Sequence, residues 1–481
     1  MLFTSPVFLL LFLPLMLGTY TLTPQKLRPR AICLFSIAFY VLAHIESPAS
    51  ILFLLLCAIF TYCATFAASS VRKSSVMVFV TVVLLGVLAV LRYLGVWADE
   101  EAARRFLPIG ASFYLLASFS CIMDVRRGDA PMPRSFIDVL TYITYFPVMI
   151  AGPVIKYKDF ERLSKPENIQ ISAAGVGAGI ILFARGFIKR VAIAAIFDDY
   201  YGSVVESLLG YNDEPLGVDV GITLSALLLI SVYFAFSGYS DMGRGISAML
   251  GIPLQPDFGS CILCYTPLMY THNFFSSLSA WIDDYIRMPL GDIIGIGKMA
   301  GVKKKLCGTA VSIVCSLALL MWFKIGLRVL PAIAVLLLPS IVNGLFDSDK
   351  WIKKHRWSIP FSWFGTLGFT TFFWMLIRTR DIGSLAMLFG NLNLSAPMQS
   401  YLVNRTFFNL EFPLALSLIF IVQLPMFCGV LFKKRQSPFL KLPAVRWIWS
   451  LLILGIFVLC IYYYLPQYPS LATEPFRDII F

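Results

Sequence analysis

The chain has 481 residues and a formal net charge of +12; 58% of it is hydrophobic, 14% is charged, and the mean hydropathy is +0.80. Soluble proteins carry about 25% charged residues, so this composition excludes a soluble globular enzyme and points to a polytopic membrane protein. It also excludes nucleic acid as the reason for the positive charge, because the basic residues sit in loops beside apolar runs, where they mark cytoplasmic ends and anionic headgroups.

One bilayer crossing needs about 20 apolar residues, and such runs recur along the whole chain. In order they cover 5–22, 31–47, 50–69, 76–95, 106–123, 137–154, 172–192, 218–236, 308–340 (long enough for two pieces), 360–377, 412–432 and 447–465. The expectation is an all-α fold of about eleven to thirteen transmembrane or re-entrant helices. The first run has no basic leader and no small-residue cleavage site before Thr23-Pro24, so it reads as a retained helix. Lys26, Arg28 and Arg30 follow it, and Arg72 and Lys73 follow the third run. Asp99, Glu100 and Glu101 follow the fourth, and Asp124-Val125-Arg126-Arg127 follows the fifth. That alternation predicts an outside N-terminus in the cell (inner) membrane, with the basic loops cytoplasmic.

The larger polar breaks, 156–170, 198–217, 252–273, 287–306, 346–358 and 433–446, are too short to fold alone, so residues 1–481 read as one domain. Lys156 to Gln170 reads as an interfacial amphipathic piece. Lys303-Lys304-Lys305 and Lys433-Lys434-Arg435 read as flanking anchors. Most of the ten cysteines lie in apolar runs, where a thiol behaves as a small hydrophobe. Cys261 and Cys264 form a C-x-x-C without the further ligands that a structural zinc site needs, so no metal is expected.

Polar clusters inside a lipid-soluble chain are costly and ask for a reason. They concentrate between Tyr233 and Gly291. Transfer of an acyl group to a hydroxyl calls for a base with a pKa near neutrality. Of three histidines, His44 ends the second run, His355 lies in a basic loop, and only His272 is near the polar core. A hydrogen-bonded interfacial histidine is the competing reading of His272. Asp241, Asp257, Asp283 and Asp284 are the nearby carboxylates; of the adjacent pair, one can share a helical face with Ser279 while the other pairs with Arg287. Ser237, Tyr239, Ser240 and Asp241 either line a cavity or bond between helices, with Gly238, Gly243 and Gly245 permitting close approach.

Several runs recur in one order: Leu107-Pro108-Ile109-Gly110-Ala111-Ser112-Phe113, Tyr145-Phe146-Pro147-Val148-Met149-Ile150-Ala151-Gly152-Pro153-Val154 and Phe236-Ser237-Gly238-Tyr239-Ser240-Asp241-Met242. Ser277-Leu278-Ser279-Ala280-Trp281 with Asp284-Tyr285-Ile286 follows, and then Trp374 to Arg378. Together they resemble the membrane-bound O-acyltransferases, most closely the alginate O-acetyltransferase branch, over nearly the whole chain, with a motif core at 233–326. The resemblance implies a helical shell around a membrane funnel. It implies acyl passage from a cytoplasmic donor, acetyl-CoA or another acyl carrier used as substrate rather than bound cofactor, towards O-acylation of a cell-surface polysaccharide. The implied partners are the bilayer and a periplasmic or extracellular acetyltransferase of the SGNH-hydrolase type. Ser237, Tyr239, Asp241, Phe275, Ser277, Ser279, Trp281, Trp322 and Phe323 would line the funnel.

The departures fall where the chemistry should be. The family's two histidine positions hold Phe275 and Phe323 (or, with a slip of one, Lys324), and an expected aspartate is Ala235. Two readings follow. In one, His272 takes over from three residues away, on the same helical face, oriented by Asp284 or Asp241, with Lys324 facing a developing oxyanion. In the other, the chain is a pseudoenzyme that keeps the scaffold to bind a partner. A transporter is a third reading, weakened because no internal repeat is present.

Overall fold

The computed structural model describes residues 2–45, 47–70, 83–84, 86–87, 90, 108, 110–150, 152–210, 218–258, 261–320, 330–378, 411–431 and 443–468. Among them every regular element is helical, as lipid demands of a chain that must satisfy its own backbone. The N-terminal helices are α1 (Phe8–Leu22), α2 (Arg28–Ala43), α3 (Pro48–Ser70) and α4 (Ala111–Arg127). Pro48–Ser70, Asp219–Met249 and Pro443–Gln467 are each long and apolar enough to cross a membrane. Leu10, Leu11 and Leu15 on α1 face outward, as Leu451, Val458 and Leu459 do near the C-terminus, which is how a lipid-facing surface looks.

The run 137–154, expected as one crossing, is instead two short helices, α5 (Phe136–Ile143) and α6 (Phe146–Met149). Pro147 is the cause: it sits near the start of α6, where its missing N–H does no harm, but it cannot continue α5. Ser135 and Asp138 cap α5 reciprocally, fixing its start. A short helix, α7 (Tyr157–Leu163), follows and buries Tyr157 and Phe160 against the core, so this part of the expected interfacial piece is docked into the protein.

The centre is an antiparallel pair. One partner runs from α8 (Ala173–Ile188) through a π-helical turn (Lys189–Ala194) into α9 (Ala195–Gly210). The other is the 32-residue α10 (Val218–Met249). Glycines bring them into backbone contact: a Cβ on Gly186 would lie 2.5 Å from the Gly238 carbonyl oxygen, and one on Gly245 2.7 Å from that of Gly179. Gly243 admits the Pro147 carbonyl in the same way, at 2.1 Å from its would-be Cβ. These small residues do what they do in membrane bundles generally.

Against this pair lie α11 (Pro267–Phe274), α12 (Ser276–Ile282), a π turn (Asp283–Arg287) and α13 (Met288–Ile294). Beyond them come α14 (Gly301–Leu320), α15 (Leu330–Phe346), α16 (Ser348–Lys354), α17 (Ile359–Arg378), α18 (Glu411–Leu431) and α19 (Pro443–Leu459). The 308–340 run is thus split between two helices. The expected 76–95 span falls largely outside the described residues.

One end of the bundle gathers the basic loops. Arg28 donates to the Ile169 carbonyl (3.0 Å) and Gln25 to that of Pro166 (2.7 Å). Lys156 and Lys158 both pair with Asp284, and Arg127 reaches the Asp284 carbonyl at 3.1 Å. Tyr20 ties α1 to the Leu250 carbonyl at the end of α10. Loops far apart in sequence therefore share one face.

Candidate functional site

Three layers are stacked along α10, about 7 Å apart at 1.5 Å per residue. The layer nearest the basic end is ionic. Asp241 is buried, and its carboxylate accepts from Lys189 (2.6 Å), Arg185 (3.3 Å) and Arg244 (2.8 Å). Arg185 and Lys189 are one helical turn apart, and Asp241 and Arg244 also share a face, so two sequence-local pairs meet across the central helices. The guanidinium of Arg190 stacks over Tyr239 at 5.6 Å.

The middle layer is aromatic and contains Phe275. Its ring lies 5.3 Å from Phe236, 5.3 Å from Phe258 and 4.9 Å from Phe274. Trp374 closes the group, 5.1 Å from Phe274, and its indole N–H donates to the Tyr270 hydroxyl at 3.0 Å. Such pairs contribute about 0.5–1.5 kcal/mol each beyond area burial, so the layer is a packed plug. The third layer is ionic again: Arg378 pairs with Asp198, donates to Ser231 Oγ (3.3 Å) and stacks over Tyr201 at 4.6 Å.

His272 is not in this stack. The helix breaks at Phe275, which has φ −131° and ψ 74° between α11 and α12. The expected shared face of His272 and Phe275 therefore does not exist, because i and i+3 coincide only on an unbroken helix. Instead His272 lines a separate cleft of about 280 Å³ with Tyr265, Thr266, Asp349 and Lys353. Burial pushes its pKa down from the ordinary histidine value against the pull of Asp283.

The two carboxylates expected to orient His272 are committed elsewhere. Asp241 is held by its three cations. Burial works against the charge on Asp284, but the Lys156 and Lys158 ammonium groups hold its pKa below the usual carboxylate value. Its neighbour Asp283 pairs with Arg287 at 2.7 Å, the partner expected for one of the two adjacent acids. Lys324, Trp322 and Phe323 lie outside the described residues.

Of the remaining funnel candidates, Ser277, Ser279 and Trp281 hold structure together. Ser277 Oγ accepts from the Val154 backbone N–H at 2.9 Å, and its own N–H donates to Asp257 Oδ1 at 2.8 Å. Asp257 thus caps the start of α12. Burial raises the Asp257 pKa to about 6, which the Ser277 bonds oppose. Ser279 Oγ donates to the Thr271 carbonyl (3.4 Å), and Trp281 packs on Phe119 (5.5 Å) and Tyr285 (5.0 Å). Ser237 and Tyr239 are buried within α10. Cys261 donates to the Asn273 carbonyl and Cys264 accepts from the Asn273 side chain, so the C-x-x-C fastens the end of α11. Among the described residues no cluster of three or more His, Cys, Asp or Glu suited to a metal ion is present.

Sequence reading missed Arg185, Lys189 and Arg244. The signal was available: cations inside or at the edge of apolar runs are rare and mark partners or pathways.

Residues 32–298 match the profile of the membrane-bound O-acyltransferase family. The chain is 33% identical over 313 residues to the probable alginate O-acetylase AlgI of Azotobacter vinelandii, covering 60% of each chain. It is 33% identical over 303 residues to the protein of the same name from Pseudomonas fluorescens, covering 60% of this chain and 57% of that one. The peptidoglycan O-acetyltransferase of Helicobacter pylori is 25% identical over 225 residues, 41% of each chain. The match to the Azotobacter vinelandii protein thus spans 60% of that relative's length.

Proposed function

Because the chain belongs to the membrane-bound O-acyltransferase family, we propose that it acts in the O-acylation of a cell-surface polysaccharide. The acyl group comes from a cytoplasmic thioester donor such as acetyl-CoA and leaves towards a periplasmic or extracellular acetyltransferase of the SGNH-hydrolase type. The names of the relatives support the polysaccharide class, since alginate and peptidoglycan are both extracytoplasmic glycans.

The observation that carries an active reading is the half-buried His272 in a cleft of its own that Lys353 also lines. His272 takes the proton from an acceptor hydroxyl as that oxygen attacks the thioester carbonyl. Lys353 faces the charge that develops on the carbonyl oxygen. The C–S bond then breaks, and the thiolate leaves with the proton held by His272, so the base is regenerated.

A second reading is favoured by a different observation. Phe275 sits in a packed aromatic layer where the resemblance implies a histidine, and phenylalanine neither accepts a proton nor hydrogen-bonds a donor. In that reading the chain keeps the scaffold to bind a partner and transfers nothing.

The deciding experiment uses the purified full chain in lipid with radiolabelled acetyl-CoA and a hydroxyl acceptor. Transfer by the native protein that falls about 100-fold or more in His272→Ala, the scale of a lost general base, supports the active reading. Equal transfer by both proteins removes His272 from the mechanism. No transfer by either supports the scaffold reading.

A further inference from the structure

We propose that Arg185, Lys189 and Arg244 form a binding site for a phosphoryl group, set inside the bundle towards its basic end. This inference stands on the ionic layer alone and holds whichever reading of the acyl chemistry is correct.

Charge balance is the first argument. Three cations surround one carboxylate, Asp241, and the side chains of Lys189 and Asp241 are only 4% and 9% exposed. Buried charge is tolerated when it is paired, and one carboxylate leaves this group with a surplus of two positive charges. The next carboxylate, Asp257, is engaged in capping α12 through the Ser277 N–H.

Unused donors are the second argument. The Nε of Arg185 is buried without a hydrogen-bond partner, and so are the hydroxyls of Ser237 and Ser240 on α10. Ser240 immediately precedes Asp241 and lies one turn from Arg244, so it belongs to this level of the helix, while Ser237 lies one turn deeper, at the border with the aromatic layer. Buried donors without partners are exceptions that call for an explanation. A tetrahedral oxyanion with several acceptor oxygens supplies one, because guanidinium groups match phosphate geometry.

Access is the third. Arg185 and Arg244 keep 22% and 16% of their side chains exposed, in contrast to Lys189. Asp241 lies eight residues from the end of α10, about 12 Å at 1.5 Å per residue. That end is tied by the Tyr20 hydroxyl to Leu250, on the face where Arg28 meets Ile169. A phosphate arriving from the basic end meets Arg244 and Arg185 before the aromatic layer stops it. The phosphoryl group belongs either to a soluble donor of the coenzyme A type or to an anionic phospholipid.

The test uses the full chain in nanodiscs. In phosphatidylcholine discs, coenzyme A and inorganic phosphate are titrated against the native protein, Arg185→Gln and Asp241→Asn. In parallel, native mass spectrometry follows retention of phosphatidylglycerol. Arg185→Gln keeps two cations on Asp241, so it is expected to fold, and it should weaken binding of whichever phosphoryl compound is held by about tenfold. Asp241→Asn removes the competing carboxylate, so phosphate should raise its thermal midpoint more than that of the native protein. Binding of coenzyme A identifies a soluble source, and retention of phosphatidylglycerol alone identifies a lipid. The proposal is overturned if neither coenzyme A, phosphate nor phosphatidylglycerol is held, or if Arg185→Gln leaves the binding of the compound that is held unchanged; the layer is then an internal ion cluster only.

Discussion

Asp257 and Phe275 show how single positions set the character of this centre. Asp257 is 4% exposed and caps α12, yet burial raises its pKa to about 6. The folded state therefore holds its proton more tightly than the unfolded chain, where the pKa is about 3.9. Its contribution to stability is complete below the unfolded pKa and is lost as pH rises through about 6. Asp257→Asn keeps an oxygen for the Ser277 N–H and never ionises. Thermal unfolding in detergent between pH 4 and 7 should accordingly be flatter in the variant, and the variant should be the more stable protein at pH 7. A native-like decline over that range would mean that another group sets it. Phe275 illustrates the opposite case, in which a residue ends one helix, begins the next and fills an aromatic layer without carrying charge. Its identity was readable from the sequence, but its role as packing became visible only with Phe236, Phe258 and Phe274 around it.

At the scale of elements, the pairing of α8 and its π turn with α10 decides where every layer falls. The contact depends on glycines with no room for a methyl group. Gly243→Ala would drive a Cβ to 2.1 Å from the Pro147 carbonyl oxygen. Backbone must shift to relieve that, at a cost of about 1–3 kcal/mol, visible as a lower thermal midpoint. Gly202→Ala in α9 is the control: nothing lies within 4 Å of its would-be Cβ, and alanine's better helix propensity should leave stability unchanged or raise it by up to about 1 kcal/mol. Equal behaviour of the two variants would contradict the packing described here. The helices themselves were legible as apolar runs. The division of 137–154 was not, since run length registers hydrophobicity and that break lies within chain that is still apolar; the break at Phe275 falls between the apolar runs, where run length gives no signal at all.

For the whole molecule, the gathering of basic loops at one end predicts the orientation in the membrane. Ile45, 72% exposed just beyond α2, lies at the other end, because the 16 residues of α2 span about 24 Å from Arg28. With a membrane-impermeant maleimide on intact cells, Ile45→Cys should label, while Glu167→Cys at the basic end should label only after permeabilisation. The reverse pattern would place the basic end outside and defeat the expectation of a cytoplasmic donor face.

The sequence by itself determined the membrane class, the family, the basic-loop alternation and a phenylalanine at 275, because each is a property of composition, order or identity at one position. Only the tertiary structure decided that His272 opens into a separate cleft, that Asp284 belongs to Lys156 and Lys158, and that Arg185 and Lys189 meet Asp241 and Arg244. Those outcomes depend on which helices touch and where one of them breaks. Such contacts join residues 50 to 130 positions apart, and no local pattern in the chain encodes a distance between them.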